Sequence, residues 1–455
     1  MTAPTFRRDF PALAAAGSRP TVYLDSACMS LVPRSVLAAM EEYYTDFPGC
    51  AGRSLHRFAE EVGRRYEAAR ERFAGFLGVP DPRGVVFLRN ATEAINLVGQ
   101  GLPWARGDRV LVSDQEHNSN LVVWQRLAAE RGVRIEVLAL PDDGRFDDEA
   151  FERTLARGVK LVSLFHTSNV DGRTLPVAEI VERAHDRGAR VLLDGCQAAP
   201  HRRVDLEHLG ADFYAVSAHK MLGPTGTGVL AARYDALAEL RPLLVGGETV
   251  EWTTVDAHAL RPPPYRFEAG LQNYAGILGA AAGIDYLQRA GLETVERIQR
   301  AANARVTAAL EDEPRVRLLG PPAAADRPSI FAFALAGVDP NDAAVFLDEG
   351  HGVMVRSGMH CAHSFYARRG LTGNVRASFY LYNSPDDADA LIAGVRELLA
   401  RIPASTGTSA GTTAPPPRGG SARRPGAGSS AAGARSAPPR RTTGRRRAAS
   451  ARGSG

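Results

Sequence analysis

Of the 55 basic residues in this chain of 455, only two are lysine, Lys160 and Lys220. Such a bias toward arginine fits a GC-rich genome. Where arginine fills nearly every basic position, a retained lysine is a candidate for chemistry that arginine cannot supply. A lysine amine can lose its proton and form a Schiff base with a carbonyl, whereas a guanidinium stays charged. Lys220 stands in Ser217-Ala218-His219-Lys220, ahead of the glycine-rich run Gly223-Pro224-Thr225-Gly226-Thr227-Gly228. The pattern reads as a buried strand that ends in polar residues, then a turn whose glycines let a ligand approach the backbone. The plainer reading is a surface lysine beside a β-turn, and a glycine-rich loop alone decides nothing.

Four further groups can do chemistry. Asp194 ends the apolar run Val191-Leu192-Leu193 and precedes Gly195-Cys196-Gln197. A carboxylate there needs a cationic partner such as a protonated pyridine nitrogen, or it serves as a cap or structural ion pair. Asn90-Ala91-Thr92-Glu93 follows a strand and opens a helix, where backbone N–H groups and the Thr92 hydroxyl suit a phosphate. A plain cap needs no ligand. His117, in Gln115-Glu116-His117-Asn118, is placed to stack on an aromatic cofactor or to act as an acid or base, or is simply solvated. Cys361 lies in Arg356-Ser357-Gly358-Met359-His360-Cys361-Ala362-His363, with Arg376 fifteen residues on. Neighbouring His and Arg favour a nucleophilic thiolate; the alternative is a small buried hydrophobe.

These groups must be positioned by regular elements. Strand-like runs are expected at Val85–Leu88, Arg109–Val112, Arg134–Leu138, Leu161–Phe165, Val191–Asp194 and Phe213–Val216. Helices are expected between them at Glu93–Gly101, Asn120–Glu130, Asp147–Ala156 and Val177–Arg187. Continuous apolar strands alternating with helices predict an α/β fold with a mostly parallel sheet covered on both faces. Ligands of such sheets bind beyond the carboxyl ends of the strands, where the motifs sit. Beyond residue 285 the pattern changes to a long helix, Leu292–Leu310, strands near Ser329–Leu335 and Val375–Tyr380, and a final helix after Pro385. The expected organisation is an N-terminal segment 1–20, a large domain 21–284, a smaller α+β domain 285–402 carrying the Cys361 loop, and a tail 403–455.

The tail is rich in Pro, Gly, Ser, Ala and Arg and has almost no bulky apolar residue, so it is expected to be disordered. It holds ten arginines and no acid, so the net charge of +4 hides a charge of −6 on residues 1–402. Contact with nucleic acid or acidic partners is open only through this tail, beside the plainer reading of a solvated segment. No run is apolar enough to span a membrane, and the charged N-terminus does not read as a secretory signal. Four cysteines without C-x-x-C spacing give neither a disulfide framework nor a metal site, and a reducing cytoplasm is expected.

Taken together, the motifs resemble the class V branch of the fold-type-I pyridoxal-phosphate enzymes. The resemblance is strongest to cysteine desulfurases of group II (SufS-like), a group that includes selenocysteine lyases. It spans about residues 20–400 and rests on eight motifs in order. They are Tyr23-Leu24-Asp25-Ser26-Ala27, Arg89-Asn90-Ala91-Thr92-Glu93, Glu116-His117, Ser168-Asn169-Val170, Asp194-Gly195-Cys196-Gln197-Ala198, Ser217-Ala218-His219-Lys220, Arg266-Phe267-Glu268-Ala269-Gly270 and Arg356-Ser357-Gly358-Met359-His360-Cys361-Ala362. The resemblance implies pyridoxal 5′-phosphate held as a Schiff base on Lys220, which later moves the substrate Cα proton. Asp194 then pairs with the pyridinium nitrogen, His117 stacks on the ring, and Asn169 and Gln197 contact its phenolic side. Ala91, Thr92, Ser217 and His219 hold the phosphate. Arg376 takes the substrate carboxylate, and Cys361 takes sulfur from L-cysteine as a persulfide. A homodimer and a sulfur-acceptor protein or iron–sulfur scaffold are implied partners.

Two positions depart from the family pattern. Gly270-Leu271-Gln272-Asn273 replaces Gly-Thr-Pro-Asn, so Leu271 cannot make the hydrogen bond that the family's Thr gives to the partner subunit's phosphate. Cys28 stands where the family has a small non-thiol residue, and reads either as a second thiol or as a passive small residue. Other readings are selenocysteine lyase, a class V aminotransferase or epimerase, and a non-catalytic sulfur-relay scaffold. The Cys361 loop counts against the aminotransferase reading, and Lys220, Asp194 and Arg376 together count against the scaffold.

Overall fold

A computed structural model describes residues 6–14 and 21–402; the tail from 403 lies outside the described residues. Seven strands form one sheet: β1 (Val85–Leu88), β2 (Arg109–Ser113), β3 (Arg134–Leu138), β4 (Val159–Phe165), β5 (Arg190–Asp194), β6 (Phe213–Ser217) and β7 (Gly228–Ala232). Their order is β1-β7-β6-β5-β4-β2-β3. Neighbours from β6 to β3 run parallel, and β7 is antiparallel to both β6 and β1. The fold is the mixed α/β class that the apolar runs predict. Strand β7 was not anticipated, because Gly-Val-Leu-Ala-Ala directly follows a glycine-rich turn and reads as its continuation.

Alternation along each strand divides the core in two. Val191 and Leu193 face one side and meet helices α1 (Arg57–Leu77) and, further along the chain, Val177–Asp186 and Tyr274–Ala290. Leu192 faces the other side, against α2 (Ala91–Gly101) and α3 (Val122–Arg131). Helix α2 begins two residues earlier than expected because Asn90, not Thr92, is its cap: the Asn90 side chain accepts the Glu93 N–H at 3.0 Å. Helix α3 begins two residues later than expected. Asn118–Asn120 form a 3-10 turn there, and the Asn120 amide is committed to Glu116 at 2.7 Å.

Further along the chain, β8 (Val316–Leu318), β9 (Ile330–Leu335), β10 (Arg356–Gly358) and β11 (Asn374–Ser378) form an antiparallel sheet in the order β8-β9-β11-β10. Apolar side chains of Leu292–Leu310, Pro340–His351 and Pro385–Arg401 pack on it. Residues 22–25, expected in the large domain, join this part of the molecule. Val22 and Tyr23 pair in parallel with Val353 and Met354, and Asp25 bridges to Ser378.

The Arg266-Phe267-Glu268 motif has a structural task. Strand β1 is a sheet edge, and an edge strand leaves backbone groups unpaired. Glu268 Oε1 accepts the Phe87 N–H at 2.8 Å, and Arg70 Nη1 donates to the Val85 carbonyl at 2.6 Å. The two side chains close on each other through a forked ion pair at 2.8 and 3.0 Å, and the Tyr66 hydroxyl donates to the same carboxylate at 2.6 Å. Removing one partner of such a buried pair strands the other charge. Glu268→Ala is therefore expected to destabilise the protein by about 3–5 kcal/mol in urea unfolding, and Glu268→Gln by less. An unchanged midpoint for the alanine variant would show that the pair does not hold this edge.

Candidate active site

A cleft of about 250 Å³ opens beyond the carboxyl ends of β1, β2, β4, β5 and β6. Every side chain singled out from the sequence as a site residue, from Ala91 and Thr92 to Cys361 and Arg376, lines it.

Asp194 sits at the floor, 8% exposed, and makes no ion pair among the described residues. Its Oδ1 accepts the Cys196 N–H at 3.0 Å. Gly195 lets the chain turn there: a Cβ at this position would lie 1.9 Å from the Tyr214 ring. The same turn places Gln197, whose Nε2 donates to the Ala27 carbonyl at 2.7 Å while its buried Oε1 has no partner. Cys196 also lines the cleft, but burial pushes its thiol up to about 12, so it stays a protonated packing residue.

Lys220 ends the 3-10 turn that follows β6, and its amine makes no hydrogen bond or ion pair among the described residues. The other lysine is different. Lys160 lies near the amino end of β4, away from the strand ends that form the cleft, and pairs with Asp108 at 2.6 Å. One lysine is thus structural and the other presents an unengaged amine to the cleft.

The first turn of α2 forms one wall. With Asn90 as the cap, the Thr92 hydroxyl is left at the cleft, where it meets Ser119 Oγ at 2.7 Å. Ser217 Oγ accepts the Ala91 N–H at 2.9 Å, and His219 stands beside them with its pKa pushed down to about 4, first by burial and then by Lys220. The Ala91 and Glu93 N–H groups are taken by Ser217 and Asn90, which leaves the Thr92 N–H and the hydroxyls around it as a cup for an anion.

Glu116 anchors the loop that carries His117. The carboxyl is fully buried, is hydrogen-bonded by Ser113 at 2.6 Å and Asn120 at 2.7 Å, and is raised by burial to about 8. His117 Nδ1 accepts the Ser119 N–H at 3.1 Å, so the neutral ring carries its proton on Nε2. Burial, and then the Lys220 ammonium, push its pKa down to about 4.

The remaining wall comes from the C-terminal sheet. Arg376, on β11, is 2% exposed; Nη2 pairs with Asp25 at 3.0 Å, Nη1 donates to the Asn169 carbonyl at 2.7 Å, and Nε is buried without a partner. Part of the fork expected to be open for a carboxylate is therefore already engaged. Asn169 likewise has a task the sequence did not disclose: its Nδ2 donates to the His360 carbonyl at 2.7 Å. The Asn118 N–H donates to the Cys361 carbonyl at 2.6 Å. The Cys361 loop is held from two sides, with His360 and Cys361 both at positive φ, 48° and 58°. Arg356 was quoted only as part of a motif. In the structure Nη1 lies 2.6 Å from Cys28 Sγ and Nη2 lies 3.8 Å from Cys361 Sγ.

The comparisons agree with this geometry. The sequence profile described as Aminotransferase class-V matches residues 22–391. The chain belongs to the class-V aminotransferase family. Within that family it resembles proteins named as cysteine desulfurases. A probable cysteine desulfurase of Streptomyces coelicolor is 39% identical over 401 residues, spanning 86% of this chain and 96% of that protein. A cysteine desulfurase of Haloferax volcanii is 36% identical over 390 residues, spanning 84% and 91%. Among solved structures, the apo cysteine desulfurase of Thermococcus onnurineus superposes with a TM-score of 0.83 at 37% identity, covering 88% of this chain and 98% of that one. Escherichia coli cysteine desulfurase CsdA gives 0.81 at 34% identity, covering 88% and 99%.

The cofactor of this class-V family, pyridoxal 5′-phosphate, fits the residues present. The unpaired Asp194 matches a ring cation, the orphaned Gln197 Oε1 an adjacent ring hydroxyl, the α2 cup a phosphate, and the unengaged Lys220 amine an aldehyde. The buried position of His117 is testable by histidine-selective NMR, with His117→Gln to assign the resonance. Its chemical shift is expected to stay flat from pH 8 down to about 5, because the ring gains a proton only as pH falls through about 4. A midpoint at the ordinary 6.5 would overturn that placement.

Proposed function

We propose that this class-V enzyme is a cysteine desulfurase, converting L-cysteine to L-alanine and taking the sulfur on Cys361. The observation that carries the reading is the meeting of an unengaged Lys220 amine, an unpaired Asp194 and the Cys361 thiol in one cleft. When bound, pyridoxal 5′-phosphate supplies an electron sink that makes the substrate Cα–H acidic. Asp194 holds the positive charge of the ring nitrogen. His117, neutral, would cover the ring and Gln197 would meet its phenolic side, as would Asn169, whose amide also holds the His360 carbonyl of the Cys361 loop. Ala91, Thr92, Ser217 and His219 bind the phosphate. Lys220 carries the cofactor and moves the Cα proton.

Arg376 is the carboxylate site. Its Nε–H is unpartnered and buried, and Asp25 and the Asn169 carbonyl fix its plane. Cys361 Sγ attacks the substrate sulfur. An S–S bond forms as the Cβ–S bond breaks, and its electron pair goes to carbon, which takes a proton to become the methyl of alanine. Arg356 beside Cys361 Sγ stabilises negative charge on sulfur throughout.

We further propose a homodimer and a thiol acceptor or iron–sulfur scaffold as the destination of the sulfur. Leu244 and Leu271, 53% and 65% exposed, line one surface cleft with Arg89 and give an apolar patch for a second subunit, while Leu271 offers no hydrogen bond to a phosphate. All four cysteines are free, which fits a reducing cytoplasm, and among the described residues no helix is long and apolar enough to cross a membrane.

Lys220→Ala is expected to lose the borohydride-reducible link to pyridoxal phosphate and to lower turnover at least about a hundredfold. A reducible link at another residue would show that Lys220 is not the carrier. Cys361→Ser is expected to bind the cofactor and change its absorbance on adding cysteine, while sulfide release falls on the order of a thousandfold or more. Normal sulfide release from the serine variant would sink the assignment.

A further inference from the structure

Besides the fully buried Cys196, two half-buried thiols line the cleft, and one guanidinium reaches both. Cys28 Sγ lies 2.6 Å from Arg356 Nη1, and Cys361 Sγ lies 3.8 Å from Nη2. Both cysteines are half-buried and line the same cavity. Both supports are tied down by hydrogen bonds. Cys28 sits in a turn closed by its own N–H to the Asp25 carbonyl at 3.0 Å. Ala27 beside it is fixed by Ser378 Oγ at 2.9 Å and by Gln197 at 2.7 Å. Cys361 is held by Asn118 on one side, and the adjoining His360 carbonyl by Asn169 on the other. The Cys361 loop is therefore anchored by hydrogen bonds while its thiol shares Arg356 with a second thiol. A sulfur atom attached to Cys361 stands about 2 Å out from Sγ, along a disulfide-like bond, in a cleft that Cys28 shares.

We infer that Cys28 is a second sulfur-carrying residue, which takes the outer sulfur of the Cys361 persulfide and frees Cys361 for another turnover. This rests on the desulfurase reading of the cleft. The step is a thiol exchange. The Cys28 thiolate attacks the outer sulfur, a new S–S bond forms to Cys28, and the bond between the outer sulfur and Cys361 Sγ breaks. Its electron pair remains on Cys361 Sγ, which leaves as thiolate and takes up the proton that Cys28 gave. One S–S bond is exchanged for another, so no oxidant or reductant is consumed. Negative charge moves from Cys28 to Cys361 while Arg356 donates to both ends, so no charge has to be newly solvated. Cys196 lines the same cleft, but it is fully buried and donates toward Ser217 Oγ at 3.7 Å, so it remains outside the exchange.

The experiment uses holoenzyme given about three equivalents of L-cysteine, itself a thiol and so kept near stoichiometric, with no other thiol or reductant, and quenched by alkylation at successive times. Alanine is counted, and peptides are mapped for a gain of about 32 Da, one sulfur atom. Wild type is expected to place the adduct on Cys361 first and on Cys28 afterwards, at a rate independent of enzyme concentration. It should stall after about two alanines per chain, against about one for Cys28→Ala, whose adduct stays on Cys361. Cys361→Ala should carry none on Cys28. A Cys361 adduct with none on Cys28 at any time, or a Cys28–Cys361 disulfide in its place, overturns the relay and leaves the desulfurase reading intact. A Cys28 adduct in Cys361→Ala overturns the order of transfer. No adduct on any cysteine and no alanine overturns the desulfurase reading itself.

Discussion

Asp194 stands buried at the floor of a cleft and makes no ion pair among the described residues. Burying a lone carboxylate is costly, and the usual resolutions are an ion pair or a proton. A cationic group on a ligand would resolve it here, and the other ligand-suited groups gather at the same place. The Gly195 turn fits only because no Cβ is present, and it fixes the carboxylate at the end of β5. The turn after β6 brings the Lys220 amine to the same place without engaging it, and the α2 cup lies beside it at Ser217. A neutral His117 adds no competing positive charge of its own. A strained loop and an unpaired charge are both tolerable in a molecule whose core is complete elsewhere, on the two faces of the seven-stranded sheet.

Much of this was legible in the sequence because the chemistry sits at strand ends. An apolar run that stops at Asp194, and another that stops before Ser217-Ala218-His219-Lys220, announce both the parallel sheet and the side of it that binds. The scarcity of lysine narrowed the candidate Schiff-base residue to two, of which Lys160 is engaged in an ion pair with Asp108 and Lys220 is not. The first turn of α2 was read with Thr92 as the capping residue in its plainer form. Local competition decides otherwise: Asn90 caps, and the Thr92 hydroxyl stays at the cleft.

The unread features join residues far apart in the chain. Nothing local in Tyr23-Leu24-Asp25 says that this segment pairs with Val353–Met354 and Ser378, yet that pairing carries Cys28 to Arg356. Glu268 was legible as part of a motif but not as the cover of a sheet edge, because its partners, Arg70 and Phe87, are known only once α1 and β1 are in place. Asn169 was expected to touch a ligand, and its amide is found on the His360 carbonyl. Hydrogen bonds between loops leave no periodic trace in the residues that make them.

The turn that follows β2 has two neighbouring duties. His117 faces the cofactor cleft, and the next residue, Asn118, grips the Cys361 carbonyl through its backbone and meets the His363 ring at 2.8 Å through its amide. Any coupling between occupancy of the cleft and the seating of the Cys361 loop passes through this turn and is reciprocal. A cofactor that steadies His117 steadies the loop by the same free energy with which a seated loop retains the cofactor. A partner that drew the Cys361 loop outward would work against that coupling, because loop seating and cleft occupancy draw on one shared set of contacts.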